Sequence, residues 1–105
     1  MNVVVLHAAT EDARTASVWY DEQEAGVGAK FLSEYYSILE NIEQVPDRYP
    51  LAETADARFG IHSARMDRFS YAVYYEILTD HVLVLAVSHG AQRPNYWIRR
   101  RKLNP

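Results

Sequence analysis

Cysteine is absent from the 105 residues, which excludes a disulfide framework, a thiolate zinc site and a cysteine nucleophile, and leaves the redox compartment open. No window approaches the roughly 18 uninterrupted apolar residues that a membrane span needs. The apolar run at Val3–Leu6 is too short for a signal-peptide core and has no basic flank before it, so a cytoplasmic protein is expected. Histidine and carboxylate residues show no ligand spacing such as His-x-x-x-His, so no metal is expected. Gly26-Val27-Gly28 lacks the preceding strand that a phosphate-cradling loop requires and reads as a turn. No internal repeat and no low-complexity segment occurs, and no cofactor is implied.

What remains describes a single globular domain over residues 1–105, since a prior of roughly 150 residues per domain leaves no room for two. Leu, Ile, Val and Phe supply 26 of the 105 residues and the net charge is only −3, enough apolar side chain for a core without a metal or disulfide staple. The charge is divided. Residues 1–56 hold eleven acids against Arg14, Lys30 and Arg48, a sum of −8; residues 57–105 hold three acids against eight bases, a sum of +5. Such asymmetry points to an anionic partner for the second half, nucleic acid or an acidic protein segment. The plainer reading is acidic helices balanced by the rest of the chain.

Periodicity sets the element order. Val3–Leu6 is short and β-branched, a first strand. Thr10, followed by Glu11 and Asp12, is an N-cap candidate for a helix in which Ala13, Ala16, Tyr20 and Gln23 recur at helical spacing, with Trp19 beside them as a packing residue. After the Gly26–Gly28 break, Phe31, Tyr35, Ile38, Ile42 and Val45 repeat at four, three, four and three, and Pro46 ends the run. The short break predicts an antiparallel helical hairpin. A long connection over 46–60 follows, then strands over Ile61–Phe69, Tyr71–Leu78 and Val82–Ser88, the last two joined as a hairpin through Thr79-Asp80-His81. Val82–Ser88 is apolar on both faces, so it belongs at the sheet centre or under cover. The basic tail from Arg93 to Lys102, interleaved with Tyr96, Trp97 and Ile98, is a short helix, an extended segment or a frayed end. The architecture is α+β, β-α-α-β-β-β, with the hairpin packed on a small, mainly antiparallel sheet.

Four segments in register resemble one family. Trp19-Tyr20-Asp21-Glu22-Gln23 before Gly26-Val27-Gly28 and Phe31-Leu32 is similar to the first helical hairpin of RelE/ParE-superfamily toxins. Ile42–Pro50, with two prolines bracketing an aromatic, resembles that family's helix end. Phe69–Tyr75, and Val84–Gly90 followed by Arg93 and Tyr96-Trp97, resemble its last two strands and the His-Gly end. The resemblance implies this fold and the toxin of a type II toxin–antitoxin, or plasmid stabilisation, system, neutralised by a cognate antitoxin. It leaves the target divided. ParE relatives inhibit DNA gyrase; RelE relatives are ribosome-dependent messenger RNA endonucleases; a diverged, non-toxic member is a third reading. The RelE-like nucleases are strongly basic and place lysines on the sheet, whereas here the only lysines are Lys30 and Lys102. That departure tilts the reading toward gyrase and a protein-binding inhibitor.

As an endoribonuclease the chain would work without metal, by attack of the ribose 2′-OH, and would need a base, an acid and cations for the developing charge. His89, at a strand end before Gly90, is the base or acid candidate; its alternative role is to order the turn. Arg65 and Arg93 are phosphate contacts in that reading, and Tyr96 a stacking or proton-donating group. Arg68, Arg99, Arg100 and Arg101 are candidate nucleic-acid or antitoxin contacts. Arg65 and Arg68 differ by an odd number, so a regular strand puts them on opposite faces.

Overall fold

The computed structural model describes residues 1–53, 57–90 and 96–102. In chain order these form strand β1 (Asn2–Val5), helices α1 (His7–Gln23) and α2 (Val27–Gln44), a 3-10 turn at Ala57–Phe59, strands β2 (Ile61–Arg65), β3 (Tyr71–Ile77) and β4 (His81–His89), and a 3-10 helix at Ile98–Lys102. The sheet order is β1-β4-β3-β2. β1 runs parallel to β4, while β4–β3 and β3–β2 are antiparallel. The helical hairpin belongs to the crossover that a parallel neighbour demands.

Helix α2 follows its sequence pattern. Phe31, Tyr35, Ile38 and Ile42 are all buried, and Leu32 and Leu39 pack against the core from its margin. Val45 lies past the helix end and is exposed. Helix α1 departs from expectation in two ways. It begins at His7, with Leu6 as the flanking residue, and the Thr10 N–H already bonds to the Leu6 carbonyl at 3.1 Å. Thr10 is therefore inside the helix and caps nothing. Trp19 is not core: it is 53% exposed and touches Tyr20 edge-on, while Ala9, Ala13 and Ala16 carry the buried face. Small side chains there let α1 lie close to its neighbours.

Strand β4 is buried from Val82 to Ser88, as its double-sided apolar pattern requires. It lies between β1 and β3. β2 stops at Arg65 instead of continuing to Phe69, because the Met66 N–H turns to the Tyr71 carbonyl at 2.9 Å and closes the loop. Glu34 of α2 then accepts hydrogen bonds from the backbone N–H groups of Asp67 and Arg68, fixing that loop to the helices.

Cross-strand partners share a face, so register separates two surfaces. Tyr71, Val73 and Tyr75 face the helices; Tyr71 meets the rings of Tyr20 and Phe31 at 6.1 and 5.1 Å between centroids. Arg65, Ala72 and Ser88 lie in one row across the opposite face, with Ser63, Tyr74 and Ala86 in the next. Trp97, buried, stacks on Tyr74 at 4.6 Å on that side. The tail after Tyr96 is thus docked, and Trp97 docks it.

The 46–52 segment is anchored by three side chains. The Tyr75 hydroxyl donates to the Pro46 carbonyl at 2.7 Å, Asn41 donates to the Tyr49 hydroxyl at 3.0 Å, and His62 Nδ1 lies 2.7 Å from the Tyr49 carbonyl. A carbonyl only accepts, so Nδ1 carries the proton. His62 also stacks on Tyr75 at 5.0 Å. Burial pushes both the Tyr75 and the Tyr35 phenols up to about 12. The folded values lie above the unfolded ones, so their contribution is intact below pH ~10 and is lost as pH climbs toward the folded value. Alkaline unfolding is expected between pH ~10 and ~12, with a loss on the order of 3 kcal/mol per phenol. Ultraviolet titration of tyrosinate alongside circular dichroism checks this. All eight phenols ionising near pH 10 in folded protein would contradict it.

Candidate functional site

The open face of the sheet carries a groove. Two cavities of about 370 and about 580 Å³ share Arg65 and Tyr74 in their linings. The first is walled by the 49–53 segment, the second by the 66–70 loop, with Ser88 and Gly90 beyond. Arg65 sits at the end of β2, exposed, and no described carboxylate is paired with it. Ser63 and Tyr74 are cross-strand partners next to it. Arg68 lies on the loop, mostly exposed, 3.8 Å from Glu34, a loose pair that supplies little energy.

His89 is on the other face. It is the cross-strand partner of Tyr71 and meets that ring edge-on at 5.0 Å, on the side where the helices pack. Arg65 shares a row with Ala72 and Ser88, so the sheet itself stands between Arg65 and His89. The structure does not bring these two together. Burial pushes the Tyr71 phenol up, so it holds its proton and is a weak acid beside His89. Tyr96 flanks a third cavity of about 180 Å³ with Tyr71, Val87 and Asp12. It is therefore nearer to the His89 side than to Arg65. Arg93 lies outside the described residues.

The basic tail is largely committed to internal partners. Arg100 pairs with Asp12 of α1 at 2.6 Å and donates to the Leu85 carbonyl at 3.1 Å. Asp12 also accepts the Val87 N–H at 3.1 Å. β1 ends opposite Val84, and beyond that point the two side chains take the hydrogen-bonding positions that a further strand residue would fill. Arg101 grips Glu76 bidentately at 2.6 and 3.0 Å and lies 4.3 Å over the Phe59 ring. In this fold Arg100 and Arg101 anchor the tail, with their guanidinium groups engaged by Asp12 and Glu76. Arg99 is exposed and open to contact with an external partner.

Sequence reasoning missed Asp12 and Glu76. Asp12 reads as a helix-start acid, yet it serves the sheet. Glu76 had a signal: a carboxylate inside an apolar strand, 8% exposed in the fold, demands a cation. Among the described residues no group of three His, Asp or Glu is placed to hold a metal, and no helix is long and apolar enough to cross a membrane.

The backbone has a close structural relative. A solved chain of the chromosomal ParDE toxin–antitoxin system from P. aeruginosa superposes with a TM-score of 0.72 at 10% identity, covering 85% of this chain and 95% of that one. At such identity the likeness establishes the fold alone. No curated protein sequence matches. The sequence model of the ParE toxin of the type II toxin–antitoxin system parDE matches residues 3–94, nearly the whole chain. A β-α-α-β-β-β domain with this match belongs to the ParE toxin family of type II toxin–antitoxin systems.

Proposed function

We propose that this chain is a toxin held silent by a cognate antitoxin, that it acts in the cytoplasm on DNA gyrase as a protein-binding inhibitor, and that it cuts no RNA. The observation that carries the reading is the position of Arg65 and His89 on opposite faces of the sheet. Metal-free cleavage needs a proton-transfer group and a charge-stabilising cation around one phosphate. A phosphate cannot sit on both sides of a sheet. An inhibitor that works by surface contact needs neither group.

The antitoxin reading is supported by the uneven charge of the chain and by exposed large side chains such as Trp19 and Tyr36 on the hairpin. The open face of β4 is not the reason for it, because Trp97 and the tail already cover that strand. Calorimetry with the product of the adjacent gene is expected to show enthalpic binding with negative ΔCp, the sign of a partner that folds as it binds.

His89→Ala tests the target. Growth inhibition is expected to persist, with a DNA-damage response and inhibited supercoiling by purified gyrase. A nuclease using His89 would instead lose about 10²-fold or more in cleavage. If folded His89→Ala protein is harmless and messenger RNA cleavage disappears with the toxicity, the gyrase reading fails.

A further inference from the structure

We infer that the groove on the open sheet face is a docking site for an extended peptide segment whose single carboxylate side chain seats on Arg65. This rests on the toxin reading only for the existence of a protein partner.

Three observations converge. Arg65 is the cation common to both cavities, exposed and without a described carboxylate partner, so its planar fork is available to a ligand oxyanion. The surroundings are neutral hydroxyls and apolar surface: Ser63, Ser70, Ala72 and Tyr74, with Leu51 exposed at one rim. Such a lining suits peptide N–H and C=O groups and alternate side chains. Finally, the lining charges are mixed in sign. Glu53 lines only the first cavity, Asp67 and Arg68 only the second, and Arg65 both, while Arg68 lies 3.8 Å from Glu34.

That pattern selects against a polyanion. Arg65 and Arg68 are matched by Glu53 and Asp67 among the lining residues, a net charge of zero. Nucleic-acid affinity comes from cations that neutralise successive phosphates, and here a phosphodiester chain would meet as many carboxylates as guanidiniums. A peptide with an acid between cationic neighbours complements Arg65 together with Glu53 and Asp67. Buried behind Tyr74, Trp97 stacks on its ring and reports on the groove.

The probe is an acetylated, amidated heptapeptide with Glu at its centre, Val and Thr on either side, and Lys at both ends. Binding is followed by nuclear magnetic resonance of backbone amides and the Arg65 Nε–H, and by Trp97 emission in a Trp19→Phe background, where it is the sole indole. Titration is expected to move the signals of Ser63, Arg65 and Tyr74. Exchanging the central Glu for Gln is expected to weaken binding about five-fold, the scale of a partly exposed ion pair. In Arg65→Glu protein the preference is expected to reverse toward a Lys-centred peptide. The proposal is overturned if Gln binds as well as Glu, if shifts cluster on the helices, or if a seven-nucleotide thymidylate binds more tightly than the peptide. Free acetate moving Arg65 as far as the peptide does, at equal concentration, also overturns it. None of these measurements depends on toxicity, so failure here and failure of the gyrase reading are separable.

Discussion

Replacing Gly28 with alanine is expected to destabilise the domain by about 3 kcal/mol, at the upper end of what overpacking costs. Gly28 lies in the first turn of α2, buried where the two helices cross. A Cβ there would stand 2.3 Å from the Ser17 carbonyl oxygen and 2.8 Å from the Asp21 carboxyl. The first of these is backbone of α1 and cannot rotate away. The second is worse than a clash, because Asp21 is already engaged: its Oδ1 accepts the N–H of Gly28 at 2.7 Å and of Gly26 at 3.2 Å. These are backbone donors that helix α2 leaves without intrahelical partners at its start. Forcing the helices apart therefore costs packing and the cap together. Gly26 makes the control. Its φ is +92°, but nothing lies within 4 Å of a Cβ built there, so Gly26→Ala pays only for left-handed backbone, about 1 to 2 kcal/mol. Chemical denaturation of both variants checks the order. An alanine at 28 tolerated better than one at 26 would show that the hairpin is free to splay, against the close approach of its axes.

How much of this was legible beforehand depends on what each residue answers to. The stripe Phe31, Tyr35, Ile38, Ile42 and the two-sided apolar run Val82–Ser88 were readable because burial of a whole face imposes a period on the chain. The alternation that sends Tyr74 away from Tyr71 and Tyr75 was readable for the same reason. The start of α1 was not. Thr10 has the chemistry of a cap, but Leu6 follows directly from β1 and its burial fixes where the helix begins. Trp19 looked like core on composition alone; the alanines of α1 fill that place. The candidate site was legible as residue types and not as a constellation. Strand parity within one strand can be counted, whereas the relation of Arg65 to His89 depends on two registers and a bulge at Tyr74/Tyr75 that no local pattern announces. The destinations of Arg100 and Arg101 were hidden for a similar reason, since their partners lie 88 and 25 residues away.

Asp12→Ala is expected to cost about 3 kcal/mol and to lower the melting temperature by about 10–20 °C. The carboxylate does two things that nothing nearby can take over. It accepts the Val87 N–H, and it holds the Arg100 guanidinium at 2.6 and 3.3 Å. Both side chains of the pair are less than one-fifth exposed. Their removal from water has therefore already been costly, and deleting one partner strands the other. Alanine would leave an N–H on the central strand unbonded and a buried cation with the Leu85 carbonyl alone. Arg100→Ala is expected to be milder, about 1 to 2 kcal/mol, because Asp12 keeps its bond to Val87 and the emptied space admits water. The two variants should also differ in kind. Loss of Arg100 loosens the tail, so Trp97 emission is expected to shift to the red while far-ultraviolet circular dichroism stays native. Loss of Asp12 is expected to weaken the β4 edge and the α1 contact together, giving one cooperative transition at lower temperature. Equal stability losses from both substitutions would mean that the ion pair matters only for the tail, and that the Val87 bond contributes nothing to the sheet.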